Sequence, residues 1–238
     1  CNTTGIDEMD YIISDKNLIL QNEEKLYSEK ILYMENIWNC HSGYKGERQF
    51  NDAPMINNKY ITFGSFNNFR KINNDVIDVW SSILKKINNS KLILKASDVA
   101  AVSKISKEFE KKGVLNMVKF QPHTKNLNDH LNQYNNIDLA LDTFPYNGVT
   151  TSFEATWMGV PVLTMKGYNF NSRCGESINK NLGLNWLVAE NEEDYILKAQ
   201  ELSKKTDYLF ELRKKLFDEA ITSPLFDTVS FSSNFFKI

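Results

Sequence analysis

From Tyr60 onward, short β-rich runs alternate with longer segments whose apolar residues recur every three or four positions, and this alternation constrains the fold more than any other feature of the chain. Tyr60-Ile61-Thr62-Phe63-Gly64 reads as a strand closed by glycine. A polar turn, Ser65-Phe66-Asn67-Asn68, follows, and then Ile72, Val76, Val79, Trp80, Ile83, Leu84 and Ile87 line one face of a helix. The pattern repeats with strands over 92–95, 118–120, 137–141 and 160–164 and helices over 100–112, 130–134, 152–158, 192–203 and 207–220. Strands separated by crossover helices run parallel, so the expected class is α/β, a Rossmann-like parallel sheet flanked by helices on both faces. Ligands of such sheets sit at the carboxyl ends of the strands, which directs attention to the strand-to-helix turns.

Upstream the pattern differs. Tyr11-Ile12-Ile13 and Ile31-Leu32-Tyr33-Met34 flank a charged stretch and read as strand, loop or short helix, strand. Between residues 39 and 58, Gly43, Gly46, Pro54 and polar residues follow no period, as in a linker between two lobes.

Composition excludes several functional classes. A chain of 238 residues that is 42% hydrophobic can bury a substantial core. Its 28 Lys and Arg against 30 Asp and Glu give a net charge of -2, with a pI of about 6.0, so no global field attracts nucleic acid or an anionic membrane. No nucleic-acid partner is expected. No apolar run approaches the roughly 18 residues of a membrane span. Cys1, Cys40 and Cys174 lack the paired spacing of a zinc site or a disulfide framework, which points to the reducing cytoplasm and to no metal. The chain opens on Cys1 with neither an initiator Met nor a basic-then-apolar leader, and the expectation is a piece of a longer polypeptide.

Two turns are equipped for chemistry. The stretch Asp142-Thr143-Phe144-Pro145-Tyr146-Asn147-Gly148-Val149-Thr150-Thr151-Ser152 leaves one strand and enters a helix. Gly148 permits close backbone approach, and Thr150, Thr151 and Ser152 place N–H groups and hydroxyls at a helix N-terminus, where the dipole favours a diphosphate. Glu154, expected in the first turn of that helix, is suited to ribose hydroxyls. The same residues also make ordinary helix-start chemistry. In the other turn, Lys71, expected in the first turn of its helix, can reach a phosphate or stand solvated. Asn68 is a phosphate donor or a turn residue, and His130, expected at a helix start, stacks on a base, hydrogen-bonds a hydroxyl or is structural. Cys174 beside Arg173 invites a nucleophile reading, but no partner histidine is identifiable, and its replacement by Ser is expected to leave donor binding intact.

The motifs Ile61-Thr62-Phe63-Gly64-Ser65-Phe66-Asn67-Asn68 with Lys71-Ile72, Leu141-Asp142-Thr143-Phe144-Pro145-Tyr146-Asn147-Gly148, Thr150-Thr151, Trp157-Met158-Gly159-Val160-Pro161 and Ser223-Pro224-Leu225-Phe226-Asp227 resemble the catalytic region of the O-GlcNAc transferase/SPINDLY glycosyltransferase family. The resemblance extends to Asp10-Tyr11-Ile12-Ile13-Ser14-Asp15 and Tyr27-Ser28-Glu29-Lys30, and so covers nearly the whole chain.

It implies the C-terminal lobe of a two-lobed, GT-B type fold. Residues 1–45 would be a remnant of the N-terminal acceptor lobe, 46–58 a linker, 59–220 the nucleotide-sugar-binding lobe and 221–238 a C-terminal tail. It implies Lys71 and Asn68 on the donor diphosphate, with Gly148, Thr150 and Thr151 at the same group, Glu154 on the ribose and His130 beside the base. Lys71 would also carry the leaving-group charge, a catalytic role needing no metal. The implied activity is metal-independent protein O-glycosylation, with UDP-GlcNAc as substrate, no separate cofactor, and a Ser/Thr-bearing acceptor protein or peptide as partner. Three alternatives stand beside it: a GDP-fucose-dependent O-fucosyltransferase, a related bacterial N-glycosyltransferase acting on Asn, and a nucleotide-binding or interaction module without turnover. Val149 stands where animal members carry histidine, and no tetratricopeptide repeat is visible.

Overall fold

The computed structural model describes residues 3–46, 48–96 and 98–238. Near the N-terminus, β1 (Tyr11–Ser14) and β2 (Lys30–Tyr33) form a two-stranded parallel sheet in which Ile12 faces Ile31. The chain then crosses the segment expected to be a linker. This segment contains a short helix, α1 (Pro54–Asn58), with Pro at its start and the Met55 N–H held by the buried Asp138 carboxylate at 2.9 Å.

The main sheet follows, built from β3 (Ile61–Ser65), β4 (Ser90–Lys95), β5 (Val118–Gln121), β6 (Leu139–Leu141), β7 (Val162–Met165) and β8 (Val188–Ala189). Every neighbouring pair is parallel, in the order β5-β4-β3-β6-β7-β8. The connecting helices are α2 (Asn74–Lys86), α3 (Val99–Lys111), α4 (Leu127–Asn132), α5 (Thr150–Trp157), α6 (Cys174–Asn181) and α7 (Glu192–Ser203), followed by α8 (Thr206–Glu219) and α9 (Thr228–Phe235). The chain winds outward from β3 to β5, returns, and winds the other way from β6. The strand order therefore reverses between β3 and β6, the position where doubly wound sheets open a crevice at their carboxyl ends.

The core sits on both faces of this sheet. All of β3 is buried, as expected for a central strand covered twice. On one face, α2 contributes Val76, Trp80 and Ile83 and packs against α7 with its Tyr195 and Leu202. On the other, Phe66, Ile93, Leu131, Tyr134 and Ile137 form a smaller cluster. Gly64 is required by packing, since a Cβ there would lie 2.5 Å from the Ile137 side chain. The N-terminal segment is fastened to this body through α6 and the loop before it. Ser177 donates to Asp15 at 2.6 Å, while Arg173 forms two bonds to Glu23, at 2.6 and 2.8 Å, and one to the Leu18 carbonyl.

Several local expectations are corrected. The helix expected over 130–134 begins at Leu127, because the Asn126 side chain accepts the Asp129 N–H, and it ends at Asn132 before a 3-10 turn, Gln133–Asn136. The strand expected from residue 137 begins at Leu139, since the Ile137 N–H closes that turn onto Tyr134. The α6, β8 and α9 elements had no apolar period to announce them. The buried residues of α6 include Gly175, Glu176, Ser177 and Asn179, a set with little apolar character: Ser177 bonds to Asp15, Glu176 pairs with Lys180 through one oxygen, and the Asn179 amide donates to the Val162 carbonyl.

Candidate functional site

The turns leaving β3 and β6 meet across the sheet's reversal point. Asp142, completely buried at the end of β6, is the hub. Its Oδ1 accepts the N–H groups of Gly148 at 2.7 Å and Thr143 at 2.9 Å, with the Asn67 amide at 3.4 Å, and its Oδ2 accepts the Thr164 hydroxyl at 2.8 Å. Burial pushes its pKa up to about 6, opposed by those hydrogen bonds and by the nearby Lys71 charge. Asn67 in turn accepts the Thr151 hydroxyl at 2.8 Å, joining the β3 turn to the start of α5. Gly148 is enclosed by this arrangement: a Cβ would lie 2.5 Å from the Thr151 hydroxyl and 2.8 Å from Asn67 Oδ1.

Lys71 is half-buried over the same turn. Its Nζ donates to the Asn147 carbonyl at 2.7 Å and lies 4.3 Å from the Tyr146 ring centroid. Burial lowers its pKa, and Asp142 and Cys174 oppose the shift. Lys71 does not occupy the first turn of the helix. It ends a 3-10 turn, Phe69–Lys71, because Asn68 caps that turn by accepting the Arg70 N–H and Asn73 separately caps α2 by accepting the Val76 N–H. Asn68 is exposed at the tip, and among the described residues its side chain makes that local bond alone.

At α5 the helix starts with Val149 as its cap, and the Ser152 N–H is taken by the Val149 carbonyl. The Thr150 and Thr151 N–H groups have no protein acceptor among the described residues and point to the N-terminal end of the helix. Glu154 lies one turn deeper than expected, as the fifth residue of α5, and is buried. His130 is in the last turn of α4 rather than at a helix start. These two expected site residues do come together, with His130 Nε2 2.8 Å from Glu154 Oε2. Tyr134 donates to the same oxygen at 2.9 Å and approaches the Thr151 carbonyl at 3.2 Å, linking this pair to the turn that starts α5.

Asn67, Asp142, Asn147, Tyr134 and Lys95 complete the arrangement and were not among the expected site residues. A legible signal existed for Asp142 alone: a carboxylate directly after the apolar Leu139-Ala140-Leu141 is buried by the strand that carries it. The surroundings of Cys174 oppose the thiolate a nucleophile needs: burial pushes its thiol up to about 12 and its Sγ donates to the Phe170 carbonyl.

A family model, glycosyl transferase family 41, matches residues 48–235, which takes in every residue of this arrangement. The chain belongs to glycosyl transferase family 41. Among family 41 relatives, it is 34% identical over 240 residues to a Solanum lycopersicum protein named as a probable UDP-N-acetylglucosamine–peptide N-acetylglucosaminyltransferase, SPINDLY. That alignment takes in 98% of this chain and 26% of the relative. It is 27% identical over 243 residues to an Arabidopsis thaliana protein, SEC, also named as a probable UDP-N-acetylglucosamine–peptide N-acetylglucosaminyltransferase, covering 98% of this chain and 25% of that one. Among solved structures, it matches a mutant O-GlcNAc transferase of Thermobaculum terrenum with a TM-score of 0.88 and 30% identity, over 99% of this chain and 45% of that chain. The glycosyltransferase WaaG, at 16% identity and a TM-score of 0.65 over 98% of this chain and 63% of that one, shares the fold. This family 41 chain thus spans about a quarter of the SPINDLY and SEC relatives.

Proposed function

We propose that this chain is the donor-binding part of a protein O-glycosyltransferase that transfers GlcNAc from UDP-GlcNAc to Ser/Thr hydroxyls of an acceptor protein. One observation carries the reading: the Lys71 ammonium, from the β3 turn, reaches the Asn147 carbonyl of the β6 turn at 2.7 Å, beside the open N–H groups that start α5. A cation and a helix N-terminus converge on the reversal point of the sheet, where a diphosphate gains from both. The names of the SPINDLY and SEC relatives, probable UDP-N-acetylglucosamine–peptide N-acetylglucosaminyltransferases, favour UDP-GlcNAc as the donor.

In the reaction, the acceptor oxygen forms its bond to the sugar anomeric carbon as the bond from that carbon to the diphosphate breaks. The electron pair departs with UDP, and the hydroxyl proton leaves to solvent or a base outside this chain. Lys71 and the Thr150 and Thr151 N–H groups meet the charge arriving on the diphosphate, a preorganised electrostatic role that calls for no metal. Asn68 adds an amide at the rim, and Gly148 keeps the turn free of a side chain. Glu154 takes a ribose hydroxyl, and His130 lies beside the base.

In the same reading, residues 1–45 belong with the acceptor lobe, 46–58 connect the lobes, 59–220 form the donor lobe and 221–238 a tail. The protein works in the cytoplasm, with no nucleic-acid partner. Among the described residues no helix is long and apolar enough to cross a membrane. Isothermal titration of the chain with UDP and GDP tests the reading: UDP is expected to bind more tightly, and no binding of either at millimolar concentration overturns it.

A further inference from the structure

Lys95 ends β4, beside the sheet's carboxyl edge, and has no place in the chemistry above. Its Nζ lies 2.7 Å from His130 Nδ1. An ammonium has only N–H groups to offer, so Nδ1 accepts, and the imidazole proton resides on Nε2. That proton faces Glu154 Oε2 at 2.8 Å. Tyr134, 1% exposed and locked against Phe66 with ring centroids 4.6 Å apart, donates to the same oxygen at 2.9 Å. Oε2 is thereby occupied by two donors. Oε1 has no protein donor among the described residues and is the oxygen left for a ligand.

We propose that Lys95 is a positioning residue of the donor site: by holding His130 as the Nε2–H tautomer it fixes the Glu154 carboxylate with one oxygen aimed at the nucleotide. The inference rests on the donor-site reading above and deepens it. Lys95, His130, Glu154 and Tyr134 come from β4, α4, α5 and the turn after α4, so the chain of bonds also sets how these elements meet. The Lys95 cation and the Glu154 anion bracket an uncharged ring. The Glu154 charge holds the Lys95 pKa up against the larger, lowering effect of burial. Without Lys95, a ring that moved its proton to Nδ1 would present a lone pair to the carboxylate, and Glu154 would turn away from its position.

Nitrogen-15 NMR of the histidine rings at about pH 8, with a nucleotide titration in parallel, tests this. In the parent chain, His130 is expected as the Nε2–H tautomer without any ligand. In Lys95→Met, the proton is expected to redistribute toward Nδ1 and UDP affinity to fall by on the order of tenfold, the scale of one charge-assisted hydrogen bond. Lys95→Arg, which keeps a donor, is expected to restore most of both. An Nδ1–H tautomer in the parent overturns the proposal with no variant needed. So does an unchanged tautomer in a folded Lys95→Met, or a changed tautomer with unchanged UDP affinity. A parent chain that shows the Nε2–H tautomer yet binds no nucleotide refutes the donor-site reading and the aim of Glu154, while the Lys95 control of His130 stands.

Discussion

In the proposed donor site Lys71 and Glu154 serve different parts of the nucleotide and have different partners, so their losses should differ in kind. Among the described residues the Lys71 ammonium bonds to a carbonyl, lies over an aromatic face and forms no ion pair, an arrangement that in the proposed reading leaves its charge available to a leaving group. Lys71→Ala in the full-length enzyme is expected to lower kcat by about 10²-fold or more, the scale of one preorganised electrostatic contact. Steady-state kinetics with the donor varied checks this, and an unchanged kcat would return Lys71 to the role of a packed surface lysine. Glu154→Ala is expected to weaken UDP binding by about 1–3 kcal/mol, read by direct titration, with circular dichroism confirming the fold. Lys71, Gly148, Thr150, Thr151 and Glu154 could be singled out at this scale because their residue types would suit phosphate or ribose at the mouth of a strand. Lys95 and Asn67 were not. A lysine at a strand end and an asparagine in a turn look the same whether solvated or bonded to residues 35 and 84 positions away.

Among the elements, those with a strong apolar period were legible to within a few residues. The α2 helix buries Val76, Val79, Trp80, Ile83 and Leu84, all marked by spacing. The elements that escaped notice, α1, α6, β8 and α9, are short or polar, and each takes its shape from contacts outside itself. The placement of Lys71 in a separate 3-10 turn came from two asparagine caps close together, where sequence spacing alone suggested one continuous helix start. Gly64 offers a test of the central strand. A methyl group there would meet two atoms of the buried Ile137 side chain at 2.5 and 2.7 Å. Gly64→Ala is expected to cost about 1–3 kcal/mol of stability by overpacking, measured by urea denaturation. A smaller cost would mean that Ile137 can move aside and that the strand tolerates a looser crossing.

For the whole molecule, the balance of buried carboxylates sets the response to pH. Burial raises the pKa of Asp138 and Asp142, each to about 6 from an ordinary 3.8, so the folded chain holds their protons where the unfolded chain has released them. Their favourable contribution is complete below about pH 4 and is lost as pH rises through about 6. Glu23, lowered chiefly by its hydrogen bonds to Arg173, acts in the opposite sense and loses its contribution as pH falls below 4.5. Asp142→Asn is therefore expected to flatten the decline in stability between about pH 4 and 6, by on the order of 1–3 kcal/mol across that window. Urea midpoints at a series of pH values check this, and a slope identical to the parent's would mean that Asp142 is ionised throughout. The sequence by itself determined the α/β class, the direction of the strands, the family resemblance and the two turns that the structure brings together, because apolar periodicity, glycine and helix-start residues act over a few positions. Tertiary structure alone decided that β3 and β6 lie side by side, that Asp142 serves as the hub of both turns, and that Lys95, His130, Glu154 and Tyr134 form one chain of hydrogen bonds. Those groups are far apart in sequence, and each bond exists only because packing of the sheet and its helices removes water from both partners and leaves each the other's hydrogen-bonding group.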